Sequence, residues 1–319
     1  MVGFARPGSA AFALRCFRLA ALLLAFSSAA CTRDPQIDPG SLEPDNHAIP
    51  RVVVISIDGL RGDAIAAANA PTLLRLIREG SSSMTAQTVM PSLTLPAHTS
   101  MLTGVIPLRH GILWNDDLTT LPQLLEVPTI FDVIRDAGYT SAMFVGKSKL
   151  RTIVHTSAPT RVSIPPVDET WLADKVASQV LAYIAIAKPK PNMIFIHLPD
   201  VDLTGHDAGW MSPAYLATVR HTDSTDAQLW QGLKLAFGTD LTLIITADHG
   251  GLDHAHYDGS LSTTTIPWIA WGRGVQPHLL SGDVHVVDTA PTVLWLLGLV
   301  PPAGWDGVAV MSAFQLPVR

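Results

Sequence analysis

Val52-Val53-Val54-Ile55-Ser56-Ile57 runs directly into Asp58, and the pattern recurs twice. Met193-Ile194-Phe195-Ile196-His197-Leu198 precedes Asp202, and Leu241-Thr242-Leu243-Ile244-Ile245-Thr246 precedes Asp248. Runs this short and this rich in β-branched residues read as buried strands of a parallel sheet. In open α/β sheets ligands bind beyond the carboxyl ends of the strands, so three carboxylates there point to one shared site. Two of them carry histidines: Asp202-Leu-Thr-Gly-His206, and Asp248-His249 with His254 and His256 close behind. Carboxylates and imidazoles converging on one sheet edge indicate metal ions, two of them.

Outward from these runs, strand-like and helix-like patterns alternate from Arg51 onward. Helices are expected over Ala70–Gly80, Pro96–Leu102, Thr129–Ala137, Asp168–Ala187, Pro213–Phe237 and Ala290–Leu299, with further strands at Thr140–Val145 and Ile266–Trp271. Pro96 suits a first helical position, and Gly138 a stop. Alternation of this kind implies right-handed crossovers. The expected fold is therefore α/β, a mainly parallel central sheet with helices on both faces. No internal repeat or composition shift divides residues 51–319, which read as one domain.

The N-terminus reads separately. Arg6, Arg15 and Arg18 precede the apolar stretch Leu19–Phe26, followed by small residues up to Ala30. This is the layout of a secretory signal over residues 1–31, with a core too short for a comfortable membrane span. Cys31 after Ser28-Ala29-Ala30 resembles the lipobox of bacterial lipoproteins, with serine where that motif usually has leucine. Attachment through a lipidated Cys31 and plain cleavage are both open, and either predicts export to the periplasm or the bacterial envelope. Residues 32–50 read as a flexible tether. The two cysteines of the chain, Cys16 and Cys31, leave the domain without a disulfide. Beyond the first 30 residues, 18 basic side chains face 27 acidic ones, a net charge of −9. Nucleic acid is excluded as a bulk partner, because its binders usually carry a basic footprint.

Thr94 lies just ahead of the helix that Pro96 is expected to open. Free N–H groups and the positive dipole end there suit an anion. A threonine hydroxyl needs activation to act as a nucleophile, and metal coordination is one route. By itself Thr94 or Ser92 would be read as a helix cap. Beside three metal-type carboxylates, the nucleophile reading prevails. Asp202-x-x-x-His206 alone is weak, since such pairs occur by chance on loops. Asp248-His249-Gly250-Gly251 after a buried strand is hard to justify by packing.

Val-Ile-Ser-Ile-Asp58-Gly-Leu-Arg, Thr94-Leu-Pro-Ala-His98, His110-Gly-Ile-Leu-Trp-Asn115, Asp202-x-x-Gly-His206 and Asp248-His249-Gly-Gly, in that order, closely resemble the alkaline phosphatase superfamily. The nearest branch is the type I phosphodiesterase/nucleotide pyrophosphatase family, and Asp288-Thr-Ala-Pro-Thr292 extends the likeness toward the C-terminus. The resemblance implies a metal-dependent hydrolase of phosphate esters with a reduced cap, acting on phosphodiesters or nucleotide pyrophosphates. It implies two zinc ions, one held by Asp58, Thr94, Asp248 and His249, the other by Asp202, His206 and His256. Thr94 would become phosphorylated, and Asn115 would hydrogen-bond a phosphate oxygen. From donor types alone, manganese or iron also fits.

The substrate is expected to be a small phosphate ester. Lys147, Lys149 and Arg151 follow an expected strand, and Lys147 is a candidate for the extra charge of a phosphate monoester; each alone reads as a solvated loop residue. Hydrolysis of phosphodiesters therefore stands first and of monoesters second. A third reading is an envelope lipoprotein that binds phosphoesters or metal without turnover. The Cys/Ser-x-Pro-x-Arg nucleophile motif of sulfatases is not matched, and the chain has no room for the inserted domain of cofactor-independent phosphoglycerate mutases.

Overall fold

The computed structural model describes residues 50–117, 125–154 and 158–315. The expected signal, Cys31 and all of the expected tether except Pro50 lie outside these residues. Eight strands form one sheet: β1 (Arg51–Ile57), β2 (Ser81–Gln87), β3 (Ser141–Val145), β4 (Arg161–Ser163), β5 (Met193–Leu198), β6 (Leu241–Thr246), β7 (Thr265–Gly272) and β8 (His278–Leu279). Their spatial order is β4-β3-β5-β1-β6-β7-β2-β8. All neighbours pair in parallel except β7, which runs antiparallel to β6 and β2. The exception has a local cause. No crossover helix returns the chain to the far edge after β6; a long loop and a short helix re-enter the sheet where β6 ended.

The helices are α1 (Gly62–Ala67), α2 (Pro71–Glu79), α3 (Thr94–Thr103), α4 (Pro107–His110), α5 (Ile130–Asp136), α6 (Ala173–Ile186), α7 (Asp200–Ala208), α8 (Pro213–Phe237), α9 (Leu261–Thr264) and α10 (Thr289–Leu296). Helices α2, α6 and α7 pack against α8, while α10 packs against both α3 and α5. Both faces of the central strands are covered, since every residue of β5 and β6 is buried, as is every residue of β1 after Arg51.

Local chemistry sets the helix ends. The Ser212 hydroxyl accepts from Tyr215 N (3.2 Å), Pro213 opens α8, and Gly238 at φ +58° stops it. Thr129 and Asp132 form a reciprocal capping box on α5. Two expected boundaries are corrected, and one motif is placed. Helix α3 begins at Thr94, two residues before Pro96, with Leu93 as its N-cap. Helix α6 begins at Ala173 rather than Asp168, because Thr170 bridges to Lys147 and Trp171 N donates to Gly146 O (2.8 Å). The pair Asp202 and His206, weak evidence as a motif by itself, lies on α7 with helical i,i+4 spacing. Among the described residues no helix is long and apolar enough to cross a membrane.

Candidate metal centre

Four adjacent strands deliver the site. Lys147 follows β3, Asp202 follows β5 within the first turn of α7, Asp58 follows β1, and Asp248-His249 follow β6. All five lie beyond the carboxyl edge of the sheet. The loop after β6 also brings His256, and α3 presents Thr94. The turn after β1 needs Gly59, at φ +73°, because a Cβ there would stand 2.9 Å from Cα of Asp202. Its carbonyl accepts from Trp210 Nε1 and the Tyr215 hydroxyl, each at 2.8 Å. Gly251 has a packing reason, since a Cβ would meet the Trp210 ring at 2.1 Å. Trp210 in turn stands edge-on to His206 and His256, with centroids 5.1 and 5.8 Å away.

Each buried carboxylate commits one oxygen to the protein and leaves the other without a hydrogen-bond donor. Asp58 Oδ2 takes Lys147 Nζ (2.7 Å) and His197 Nε2 (2.8 Å), leaving Oδ1. Asp202 Oδ2 takes Lys147 Nζ (2.5 Å), leaving Oδ1. Asp248 Oδ1 takes the N–H groups of Gly59 (3.1 Å) and His249 (3.0 Å), leaving Oδ2 without a hydrogen bond. The histidines follow the same division. Nδ1 of His206, His249 and His256 donates to the carbonyls of His254 (3.0 Å), Gly250 (2.8 Å) and Ser92 (2.6 Å). That tautomer turns three Nε2 lone pairs inward.

These free atoms form two groups, Asp58 with Asp248 and His249, and Asp202 with His206 and His256. In the first, His249 Nε2 lies 3.4 Å from Asp58 Oδ1 and 3.3 Å from Asp248 Oδ2. In the second, His206 Nε2 lies 3.4 Å from Asp202 Oδ1 and 3.2 Å from His256 Nε2. Two inward lone pairs at 3.2 Å repel unless a cation sits between them. Metal–nitrogen bonds of about 2.0–2.1 Å in a tetrahedron imply edges of about 3.3 Å. The residues fit two metal ions. The groups abut, with the His249 and His256 rings stacked at 3.7 Å.

Electrostatics agree with that fit. Burial works against ionised Asp58, but Lys147, His197 and His249 hold its pKa well below the usual carboxylate range. Burial and the neighbouring Asp58 push Asp248 well above it. Without metal, one of the two keeps a proton, which a bound cation would displace. Burial, with His249 adding to it, lowers His256 to about 4, so it remains a neutral donor.

Thr94 is buried, and neither it nor Ser92 caps α3. Its Oγ1 lies 3.3 Å from Lys147 Nζ. Lys147 is thus no solvated loop residue; despite burial, Asp202 and Asp58 raise its pKa and keep it charged. Asn115 accepts from Leu95 N (3.0 Å) and lines the cavity in front of Thr94. Lys149 also lines it, whereas Arg151 turns to the carbonyls of Ser148 and Pro165. His254 pairs with the carbonyl of His206 and stands outside both groups. His110 and Asp288 bind the frame, through Ser100 and through the N–H groups of His285 and Val308.

Two residues at the centre carry roles that the sequence does not assign, His98 although it closes the Thr94-Leu-Pro-Ala-His98 motif. His197 within β5 donates to Asp58, and His98 on α3 contacts Ser56 Oγ (2.8 Å) and Asp248 Oδ2 (3.3 Å). Burial drives both pKa values down, with His197 adding to the effect on His98. For His197 the only sequence signal is an imidazole inside an apolar strand.

A family model described as type I phosphodiesterase/nucleotide pyrophosphatase matches residues 52–267. An uncharacterized pyrophosphatase/phosphodiesterase of Schizosaccharomyces pombe is 26% identical over 219 residues, covering 62% of this chain and 44% of the relative. GPI ethanolamine phosphate transferase 1 of Emericella nidulans is 29% identical over 186 residues, 47% of this chain and 19% of the transferase. The chain therefore spans less than half the length of these curated relatives. Among solved structures, an inactive variant of murine ectonucleotide pyrophosphatase/phosphodiesterase 5 in complex with AMP superposes with a TM-score of 0.71 at 17% identity, covering 83% of this chain and all of that one.

Proposed function

The chain belongs to the type I phosphodiesterase/nucleotide pyrophosphatase family, and on that premise we propose that it hydrolyses phosphate esters through a phospho-threonine at Thr94, phosphodiesters or nucleotide pyrophosphates first. The observation that carries this reading is the set of unpartnered buried acceptors, Asp58 Oδ1, Asp202 Oδ1, Asp248 Oδ2 and His249 Nε2, beside a threonine that caps nothing. Asp58, Asp248 and His249 would hold one ion with Thr94, and Asp202, His206 and His256 the other, with zinc the first candidate for this donor set. When bound, such ions lower the pKa of the attacking oxygen and stabilise charge on the departing one.

The chain's own residues supply the rest. Thr94 Oγ forms a bond to phosphorus as the ester P–O bond breaks and the alcohol departs with a proton. Water then attacks phosphorus, the Thr94–phosphorus bond breaks, and Thr94 recovers its proton. Asn115 would donate its amide N–H to a non-bridging oxygen, and Lys147 would oppose the charge that accumulates around Thr94.

A second reading is monoester hydrolysis. It is favoured by the buried Lys147 ammonium 3.3 Å from Thr94, where the extra charge of a phosphate dianion would fall. The deciding experiment supplies zinc to the purified domain and compares bis-p-nitrophenyl phosphate with p-nitrophenyl phosphate. Diester preference supports the first reading, and monoester preference replaces it with the second. No turnover of either, with both metals bound, sinks both. Transfer to an added alcohol in place of water would move the protein toward the transferases named among its relatives. Export and anchoring through Cys31 are proposed from the N-terminal sequence alone; a Cys31→Ser variant should leave the membrane fraction.

A further inference from the structure

The imidazole of His197 is fully buried in β5, whose register sets it between Val145 of β3 and Ser56 of β1. Both of its ring nitrogens are engaged. Nδ1 accepts from Gly146 N (3.2 Å), and Nε2 meets Asp58 Oδ2 (2.8 Å). A backbone N–H can only donate, so Nδ1 presents the lone pair and Nε2 carries the proton. The main chain thus sets the tautomer, and the one N–H of the ring is spent on Asp58.

Gly146 is itself clamped. Its carbonyl accepts from Trp171 N (2.8 Å), and a Cβ on it would stand 2.5 Å from both Pro199 Cδ and Trp171 O. The next residue is Lys147, whose ammonium reaches the same Asp58 oxygen at 2.7 Å. Two donors anchored at one junction therefore converge on Oδ2. Oδ1 is left 3.4 Å from His249 Nε2, with no hydrogen bond of its own.

A carboxylate can bind a cation through one oxygen or chelate it through both. Lys147 alone does not decide between these, because its ammonium rides on a flexible stem and is shared with Asp202 Oδ2. The His197 ring is rigid, and the His98 ring stands edge-on to it with centroids 4.8 Å apart, so its N–H has one direction.

We propose that His197 is a positioning residue: it occupies Asp58 Oδ2, makes Asp58 a one-oxygen metal ligand, and so keeps a place at that ion for Thr94. The proposal rests on the reading of Asp58, Asp248 and His249 as the donors of one ion, and it adds the residue that limits their number. A chelating Asp58 would compete with the Thr94 hydroxyl, which would then lose its activation.

The test compares His197→Gln, whose amide can place an N–H where Nε2 stands, with His197→Phe, which keeps a ring and loses the donor. Metal affinity and the visible spectrum of the Co²⁺-loaded protein are read beside kcat and KM. His197→Phe should weaken binding of one ion by about 10- to 100-fold, the loss typical when a metal ligand is deprived of its supporting hydrogen bond, and leave the other ion unaffected. Its cobalt absorption should weaken as coordination rises above tetrahedral, and kcat should fall by more than KM changes. His197→Gln should restore affinity and spectrum. In the metal-free wild type, imidazole ¹⁵N shifts should report a neutral His197 protonated at Nε2. A His197 ring protonated at Nδ1 overturns the proposal even if neither variant folds. Equal losses in the two folded variants overturn it as well, since the ring would then serve packing alone. Two ions bound by His197→Phe with wild-type affinity and spectrum overturn this proposal and leave the metal site in place. A wild type that binds no metal overturns the metal reading and this proposal together.

Discussion

Lys147 Nζ lies 3.3 Å from Thr94 Oγ1, although the two residues come from opposite arms of the fold, one at the end of β3 and one at the start of α3. The same ammonium touches Asp58 Oδ2 and Asp202 Oδ2, one carboxylate from each metal group. It uses the oxygens that the metal groups do not need. A fixed cation at the hydroxyl makes an alkoxide there less unfavourable, and it does so without reorganisation at the moment of reaction.

Lys147→Met should therefore lower kcat/KM by about 100- to 1000-fold, the range seen when one preorganised charge stabiliser is lost. The drop should be steeper for a monoester than for a diester if the dianion's extra charge falls on this ammonium. Wild-type rates on both ester classes would remove Lys147 from the mechanism.

Thr94→Ala should abolish turnover and leave the metal content near normal, because three protein donors remain for that ion. In the wild type, acid quenching during turnover of a ³²P-labelled ester should trap label on the peptide containing Thr94. Label on another peptide, or residual turnover in the variant at wild-type rate, would refute the covalent route.

His206→Ala should reduce bound metal from two ions to one by elemental analysis. The side chain is 45% exposed, so the substitution leaves the core intact. The second ion should still stabilise the fold, since a ligand at 100 times its Kd adds about 2.7 kcal/mol. Two ions retained at full affinity would mean that His206 is not a donor.

The sequence made β1, β5 and β6 legible because burial on both faces demands unbroken apolar runs, and such runs are visible locally. Helix α8 was equally plain, its start and stop set by Ser212, Pro213 and Gly238. Strand β2 was not, because Ser81-Ser82-Ser83 is polar and becomes a strand by pairing with β7 on one side and β8 on the other. The late start of α6 depends on the bridge from Thr170 to Lys147, a contact that no local periodicity encodes. The six carboxylates and imidazoles that the family resemblance assigned to two metals fall into two groups of three, with Thr94 beside Lys147 between them; residue type pointed to the carboxylates, and the ordered motifs supplied the rest. His197 reaches Asp58 across the sheet, and nothing in its neighbours along the chain reports that.

Asp226 offers a test far simpler than catalysis. It faces inward from α8, 1% exposed, and neither carboxylate oxygen has a hydrogen-bond donor. One turn earlier, Asp223 accepts from Thr72 N (3.0 Å) and Leu73 N (2.7 Å) at the start of α2. Burial, and then the charge of Asp223, raise the Asp226 pKa well above the carboxylate range. The sign of the linkage follows from that direction. A folded pKa above the unfolded value, about 3.9, means that folding takes up a proton. The contribution is fully present below the unfolded pKa and is lost as pH rises through the folded one. Asn at this position imitates the protonated acid without needing the proton. Asp226→Asn should therefore stabilise the metal-free protein by about 1–3 kcal/mol in urea denaturation at pH 8, and by less at pH 5. A gain that is the same at both pH values, or a loss at pH 8, would show that Asp226 is held ionised by a partner, and its burial would then need another account.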